Sequence, residues 1–289
     1  MFAKIVNSLR RRVGERLRMV LAQTRKPRFV PDLTQPSLFK AGSIVRVIHL
    51  DAAMIIGGIR ALLLQSLHPL AMTAMAEHSD YKNDPFGRLR RTVDFLGWTS
   101  YGTLAQAEKS IATVKRIHDT VVGTTAEGET YSANDPHLLM WIHVAEVDSF
   151  LVTHELFGRP RLSPRECDEY VANMGIIAER LGAVDPPSSV AEMREVIDRY
   201  RNELRLIPQG REAIRFLEDF PLSIGQKIAY RLLFSAAVRS LPRWAQEMIG
   251  REIKGVVYLA VLRQVSHVIV RVLDWGLKAD LDLSRYPRT

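Results

Sequence analysis

The chain has 289 residues, room for one large domain or two small ones; 47% are hydrophobic, ample for a packed core, and 25% are charged, ordinary for a soluble protein. Its single cysteine, Cys167, excludes an intrachain disulfide and fits a reducing compartment, and its charged surroundings without clustered His favour neither a nucleophile nor a metal role. The net charge of +8 sits in residues 1–28, where nine Lys and Arg face Glu15 alone; the rest is neutral and carries no nucleic-acid-binding motif.

Within that basic segment Phe2, Ile5, Leu9, Val13, Leu17 and Val20 recur at helical spacing. Such a helix either lies on an anionic membrane surface or packs its apolar side on the body. Pro27, Pro31 and Pro36 then mark an irregular linker up to Lys40. The expected division is a basic amphipathic segment and linker over 1–40, and one all-α domain over 41–289. No secretory signal is read, and the longest apolar run, Ala52–Ile59, is too short for a bilayer span. With the lone cysteine this predicts a cytoplasmic protein, peripheral at most on the inner membrane face.

Ser43 to Leu67 reads as one central buried helix, in which Gly57 and Gly58 permit close approach by a neighbour or a flat cofactor. After Asp51 the stretch is almost wholly apolar, and Arg60, the one charge in that part, needs an acceptor, a carboxylate side chain or a cofactor carboxylate. Pro69 sets a helix boundary after His68, which makes His68 a structural or pocket-lining residue. Asp84 and Pro85 form a helix start, with Phe86, Leu89, Val93 and Leu96 as its apolar stripe. Arg88, Arg91 and Thr92 stand on one face of that helix, suited to an anionic or oxygen-rich ligand or else simply solvated. Thr103 with Gln106 opens the next helix, and Gly123 offers a stop. Its buried stripe runs Leu104, Ala107, Ile111, Val114, His118, Val121, so an imidazole takes an aliphatic position and needs partners, a metal being one.

A helix from Asp135–Pro136 to Gly158 carries His143 and Glu146 at i and i+3, a metal pair or a supporting hydrogen bond. No Glu-x-x-His motif appears, which argues against a di-iron bundle. Ser163 with Glu166 caps a helix ending at Gly182, and Ser189 with Glu192 caps another running to Ile207. Further helices are expected over 209–219, 223–240, 244–249 and 255–277. No strand pattern of any length appears, so the fold class is all-α.

Four blocks, RALLLQSLHP (60–69), EHSDYKNDPFGRLRRT (77–92), VKRIH (114–118) and YSANDPHLLMWIHVAEVDS (131–149), together resemble the MpaB/rubber oxygenase domain family over roughly residues 40–250. The resemblance implies a globin-like helical core around haem b. It places an Arg-x-x-Lys-Thr motif on the distal side and a later histidine as proximal iron ligand. Arg88, Arg91 and Thr92 match the motif, with Arg in place of Lys, and His118 falls where the proximal ligand is expected. A guanidinium stays protonated and cannot ligate iron as an amine can. In related oxygenases a catalytic acid/base lies near the EHSDY block, but no motif identifies Glu77 with it.

Carried over, the resemblance implies a haem-dependent oxygenase using O2 on a hydrophobic, unsaturated small molecule. His118 would be the metal ligand, with His143 second in line. Arg88, Arg91 and Thr92 would be catalytic, and Arg60, His68, Arg88, His118 and His143 would surround the cofactor. The competing class is a non-catalytic haem- or lipid-binding helical protein at the membrane surface.

Overall fold

Burial in the computed structural model, which describes residues 34–251 and 256–277, concentrates on one pair of helices. The helices are α1 (Ile44–His49), α2 (Met54–Gln65), α3 (Pro69–His78), α4 (Pro85–Tyr101), α5 (Leu104–His118), α6 (Pro136–Phe157), α7 (Pro164–Leu181), α8 (Val190–Tyr200), α9 (Pro208–Glu218), α10 (Ile224–Ser240), α11 (Arg243–Met248) and α12 (Val256–Leu277). The chain is all-α among the described residues apart from a two-stranded antiparallel sheet of β1 (Val122–Thr124) and β2 (Thr130–Ser132). The expected basic amphipathic segment and most of the linker lie outside the described residues.

The pairing of α2 with α6 is the centre of the fold. Both are apolar nearly all round, the composition of a helix with neighbours on every side. Gly57 brings them together: a Cβ there would come within 2.7 Å of Thr153 Oγ1 and 2.8 Å of Phe150 Cδ1. The close approach foreseen at this glycine is to a helix. Helix α10 covers another side of α2, and α7 and α8 flank α6. Trp141 and Tyr170 are fully enclosed in this core.

Three expected boundaries differ. The helix read over 43–67 is two helices, because Asp51 Oδ1 accepts the Ala53 N–H at 2.7 Å, a local turn that competes with the helical ladder. Helix α8 ends at Tyr200 instead of Ile207, since the Arg205 N–H turns away to donate to the Leu67 carbonyl at 2.9 Å. Gly123 does not stop α5, which ends at His118. It lies in β1 opposite Tyr131, whose hydroxyl occupies the space a Cβ would need.

Among the described residues no single helix is long and apolar enough to cross a membrane. Helices α2 and α3 reach the length and composition together, but they bend by 105° at Pro69. Much of α2 is core.

Candidate active site

A two-residue turn, Gly102–Thr103, folds α5 back on α4. Thr103 Oγ1 accepts the Gln106 N–H at 3.3 Å and the Gln106 side chain returns to the Thr103 N–H at 2.9 Å, so the second helix starts at a defined residue. Arg88 and His118 lie about fifteen residues to either side of this turn, roughly 22 Å of helix each, and therefore reach the same end of the hairpin.

Two other segments meet them there. The last turn of α3 brings Glu77, His78 and Ser79, and the β-hairpin brings Tyr131 and Asn134. The Arg88 guanidinium is anchored by donating to Ser79 Oγ at 2.5 Å. Burial, and then the charge of Arg91, lower the Arg88 pKa. The Tyr131 hydroxyl donates to the Glu77 carboxylate and lies 3.0 Å from His78 Nε2. Burial and the Glu77 charge push its pKa up to about 12, so the phenol keeps its proton.

His118 is half-buried at the end of α5. Its Nδ1 is enclosed by protein yet makes no hydrogen bond, and the Oδ1 of neighbouring Asn134 likewise has none. Asn134 spends its amide NH2 on Asp119 Oδ1 at 2.6 Å and the Lys115 carbonyl at 3.4 Å. Burial lowers the His118 pKa more than Asn134 and Asp119 raise it, which favours neutral imidazole.

The other expected site residues have different surroundings. Arg91 is exposed and lies 3.4 Å from Asp84, and Thr92, also exposed, donates to the Arg88 carbonyl at 3.2 Å. Of the three motif side chains, only Arg88 is drawn inward. The Arg60 guanidinium meets Asp148 at 2.7 Å, Ser149 Oγ at 2.7 Å and the Ser240 carbonyl at 3.1 Å. Its expected acceptor is thus a carboxylate of this chain. His68 is buried beside Trp141 and Tyr200, with neither ring nitrogen hydrogen-bonded, and burial depresses its pKa to about 4.

His143 lies in a second polar cluster, inside the fold. Its Nε2 has no partner and burial lowers its pKa to about 4. Glu146, one turn on, makes no ion pair or hydrogen bond among the described residues, and burial pushes its pKa up to about 7. Nearby, His49 bridges Ser100 Oγ at 2.7 Å and the Tyr170 hydroxyl at 3.0 Å, and burial takes its pKa down to about 3. The Glu146 charge acts on Tyr170, which joins the two halves of the cluster.

Tyr131, Ser79 and Asn134 were not singled out from sequence. The Tyr131 and Asn134 block and the Glu77–Ser79 block were both noted as motifs, but only the fold pairs them. Among the described residues no group of three or more His, Cys, Asp and Glu side chains is arranged to hold a metal ion by itself.

No match was found among curated proteins or among solved structures. Residues 45–271 match the family model described as ER-bound oxygenase mpaB/B'/Rubber oxygenase, catalytic domain. That span runs from α1 into α12 and includes every residue of the two polar clusters. The chain therefore belongs to the mpaB/rubber oxygenase catalytic-domain family.

Proposed function

We propose that the chain is a haem b-dependent oxygenase that uses O2 on a hydrophobic, unsaturated small molecule. The observation that carries this reading is the half-buried imidazole of His118, which burial keeps neutral: its Nδ1 is enclosed beside Asn134, and its Nε2 makes no hydrogen bond among the described residues. An iron ligand must be deprotonated and have a nitrogen to give, and this ring meets both conditions. Haem b also carries propionates, and Arg88, at the same end of the hairpin, supplies a fixed guanidinium of the opposite charge. The residues present fit the group: His118 would hold the iron and Arg88 could face a propionate.

When bound, haem supplies the oxygen-activating redox chemistry that amino-acid side chains lack. Arg88 provides a donor already oriented by Ser79, either to a propionate or to charge developing on oxygen. Tyr131 holds its phenolic proton against Glu77 and positions the β-hairpin beside α3. Arg91 and Thr92, being exposed, act at the rim, and Arg91 steadies the start of α4 through Asp84. The rubber oxygenase in the family description supports an apolar substrate. A basic segment at 1–28 fits peripheral contact with an anionic membrane from which such a substrate would be drawn.

The test is an absorption spectrum of the purified chain supplied with haemin, followed by oxygen uptake with an unsaturated hydrocarbon. The Soret band should be largely lost in His118→Ala and kept in His143→Ala. Arg88→Ala separates its two roles: a donor to oxygen leaves haem bound and lowers turnover about a hundredfold, the usual cost of about 2.7–4 kcal/mol for a lost preorganised donor, whereas a propionate anchor weakens haem retention itself. Absence of a Soret band in the wild type would sink the reading. A band that disappears only in His143→Ala would move the ligand to the interior cluster.

A further inference from the structure

Away from the His118 site, a cleft of about 390 Å³ opens between the end of α6, the loop after it and α12. Arg159 and Arg161 of the loop and Arg271 of α12 line it. None of the three guanidiniums has an ion-pair or hydrogen-bond partner among the described residues, and Glu155 is the only carboxylate in the lining. Three guanidiniums lining one cleft make an electropositive surface that attracts an anion.

The loop is built to hold this arrangement. Asp51 accepts the Arg159 backbone N–H at 2.8 Å, and His154 Nε2 lies 2.9 Å from the Pro160 carbonyl. Asp51 and His154 are themselves buried and lie 3.4 Å apart. Burial alone would raise the Asp51 pKa, but the neighbouring His154 and the N–H groups of Ala53 and Arg159 outweigh it and hold the carboxylate ionised. Gly158 has no room for a Cβ beside His154 and Asp51, so the loop is packed down on this pair. Two buried polar side chains thus fix the backbone that carries Arg159 and Arg161, while the arginine heads remain free.

The cleft also offers apolar surface. Leu156 and Val268 in its lining are 38% and 60% exposed, so aliphatic surface stands beside the guanidiniums. We propose that this cleft is a binding site for the phosphate or carboxylate head of an anionic amphiphile. The guanidinium forks take the head group, and Leu156 and Val268 take the first part of the tail.

The test uses the full chain in low salt, titrated calorimetrically with octyl phosphate below its micelle concentration and separately with inorganic phosphate. Wild type should bind octyl phosphate saturably. Arg159→Gln with Arg161→Gln, and Arg271→Gln alone, should each weaken binding tenfold or more, with Arg271→Lys retaining part of it. The exposed Arg194→Gln on α8 serves as control and should bind as wild type does. Octyl phosphate binding tighter than phosphate, with the difference removed by Val268→Ser, identifies a lipid-type ligand. Equal affinity for both probes identifies a free phosphate and leaves the head-group site standing. Circular dichroism checks that each variant is folded, and Arg271→Lys, which keeps the charge, remains informative if a glutamine variant is not. Binding unchanged in the cleft variants, as the basic segment at 1–28 alone would produce, overturns the proposal. So does the absence of saturable binding by either probe.

Discussion

At the scale of single residues, the buried ionisable groups divide into those with partners and those without. Arg60 has Asp148, Ser149 and a carbonyl, so it stays charged in the core at tolerable cost. Glu146 has no such partners, and its pKa rises to about 7 from an ordinary 4.5. Between those values the folded chain holds a proton that the unfolded chain has released. Stability therefore falls as pH rises from about 4.5 to 7 and stays lower above that. Glu146→Gln removes this loss and should be more stable than wild type at pH 8, by up to about 3 kcal/mol from the size of the shift. The two should converge near pH 4.5. Urea denaturation of both proteins at pH 5, 6.5 and 8 measures the difference, and a gap that does not widen with pH would place Glu146 in contact with water or a cation.

At the scale of an element, α2 shows how two adjacent glycines differ. A Cβ on Gly57 would press on Thr153 and Phe150 of α6, whereas a Cβ on Gly58 meets nothing within 4 Å. Alanine relieves the helix of glycine's entropic cost at either site, up to about 1 kcal/mol. At Gly57 that gain is outweighed by overpacking, typically about 1–3 kcal/mol. Gly58→Ala should therefore raise the melting temperature and Gly57→Ala should lower it. Two shifts of the same sign would mean that α2 and α6 do not cross at Gly57. The hairpin of α4 and α5 obeys a related logic: its helix starts are set by Asp84 and Thr103, and those two caps put Arg88 and His118 at one end.

Taken as a whole, the molecule keeps several histidines neutral in its interior. Burial lowers His49 to about 3 and His68 and His143 to about 4, all from 6.5. Below pH 6.5 the unfolded chain takes up protons that these rings refuse, so stability falls as pH drops through 6.5 toward 4. Glu146 works in the opposite direction over 4.5 to 7, one carboxyl against three imidazoles. The urea midpoint should accordingly fall between pH 6.5 and 5. His143→Gln should flatten part of that slope, and a flat wild-type profile would mean that burial does not keep these rings neutral.

Much of this protein was legible before folding was considered. The caps at Asp84, Thr103, Ser163 and Ser189 and the stop at Gly182 are local chemistry, written in a few adjacent residues, and each stands at its expected place. The family was legible too, because its blocks are contiguous stretches. The break at Asp51 was missed, although the residue was in view, since its carboxylate is claimed by Arg159 as well as by Ala53. The end of α8 was missed because Leu67 captures the Arg205 amide. Helical spacing put Arg88, Arg91 and Thr92 on one face, but it could not say that Ser79 would draw one of them inward and leave the others at the surface. Periodicity determines which residues share a helix face; what that face meets depends on segments distant in sequence. Tyr131 beside Glu77, Glu146 without a partner and three arginines around one cleft are all meetings of that second kind, decided by how the helices pack.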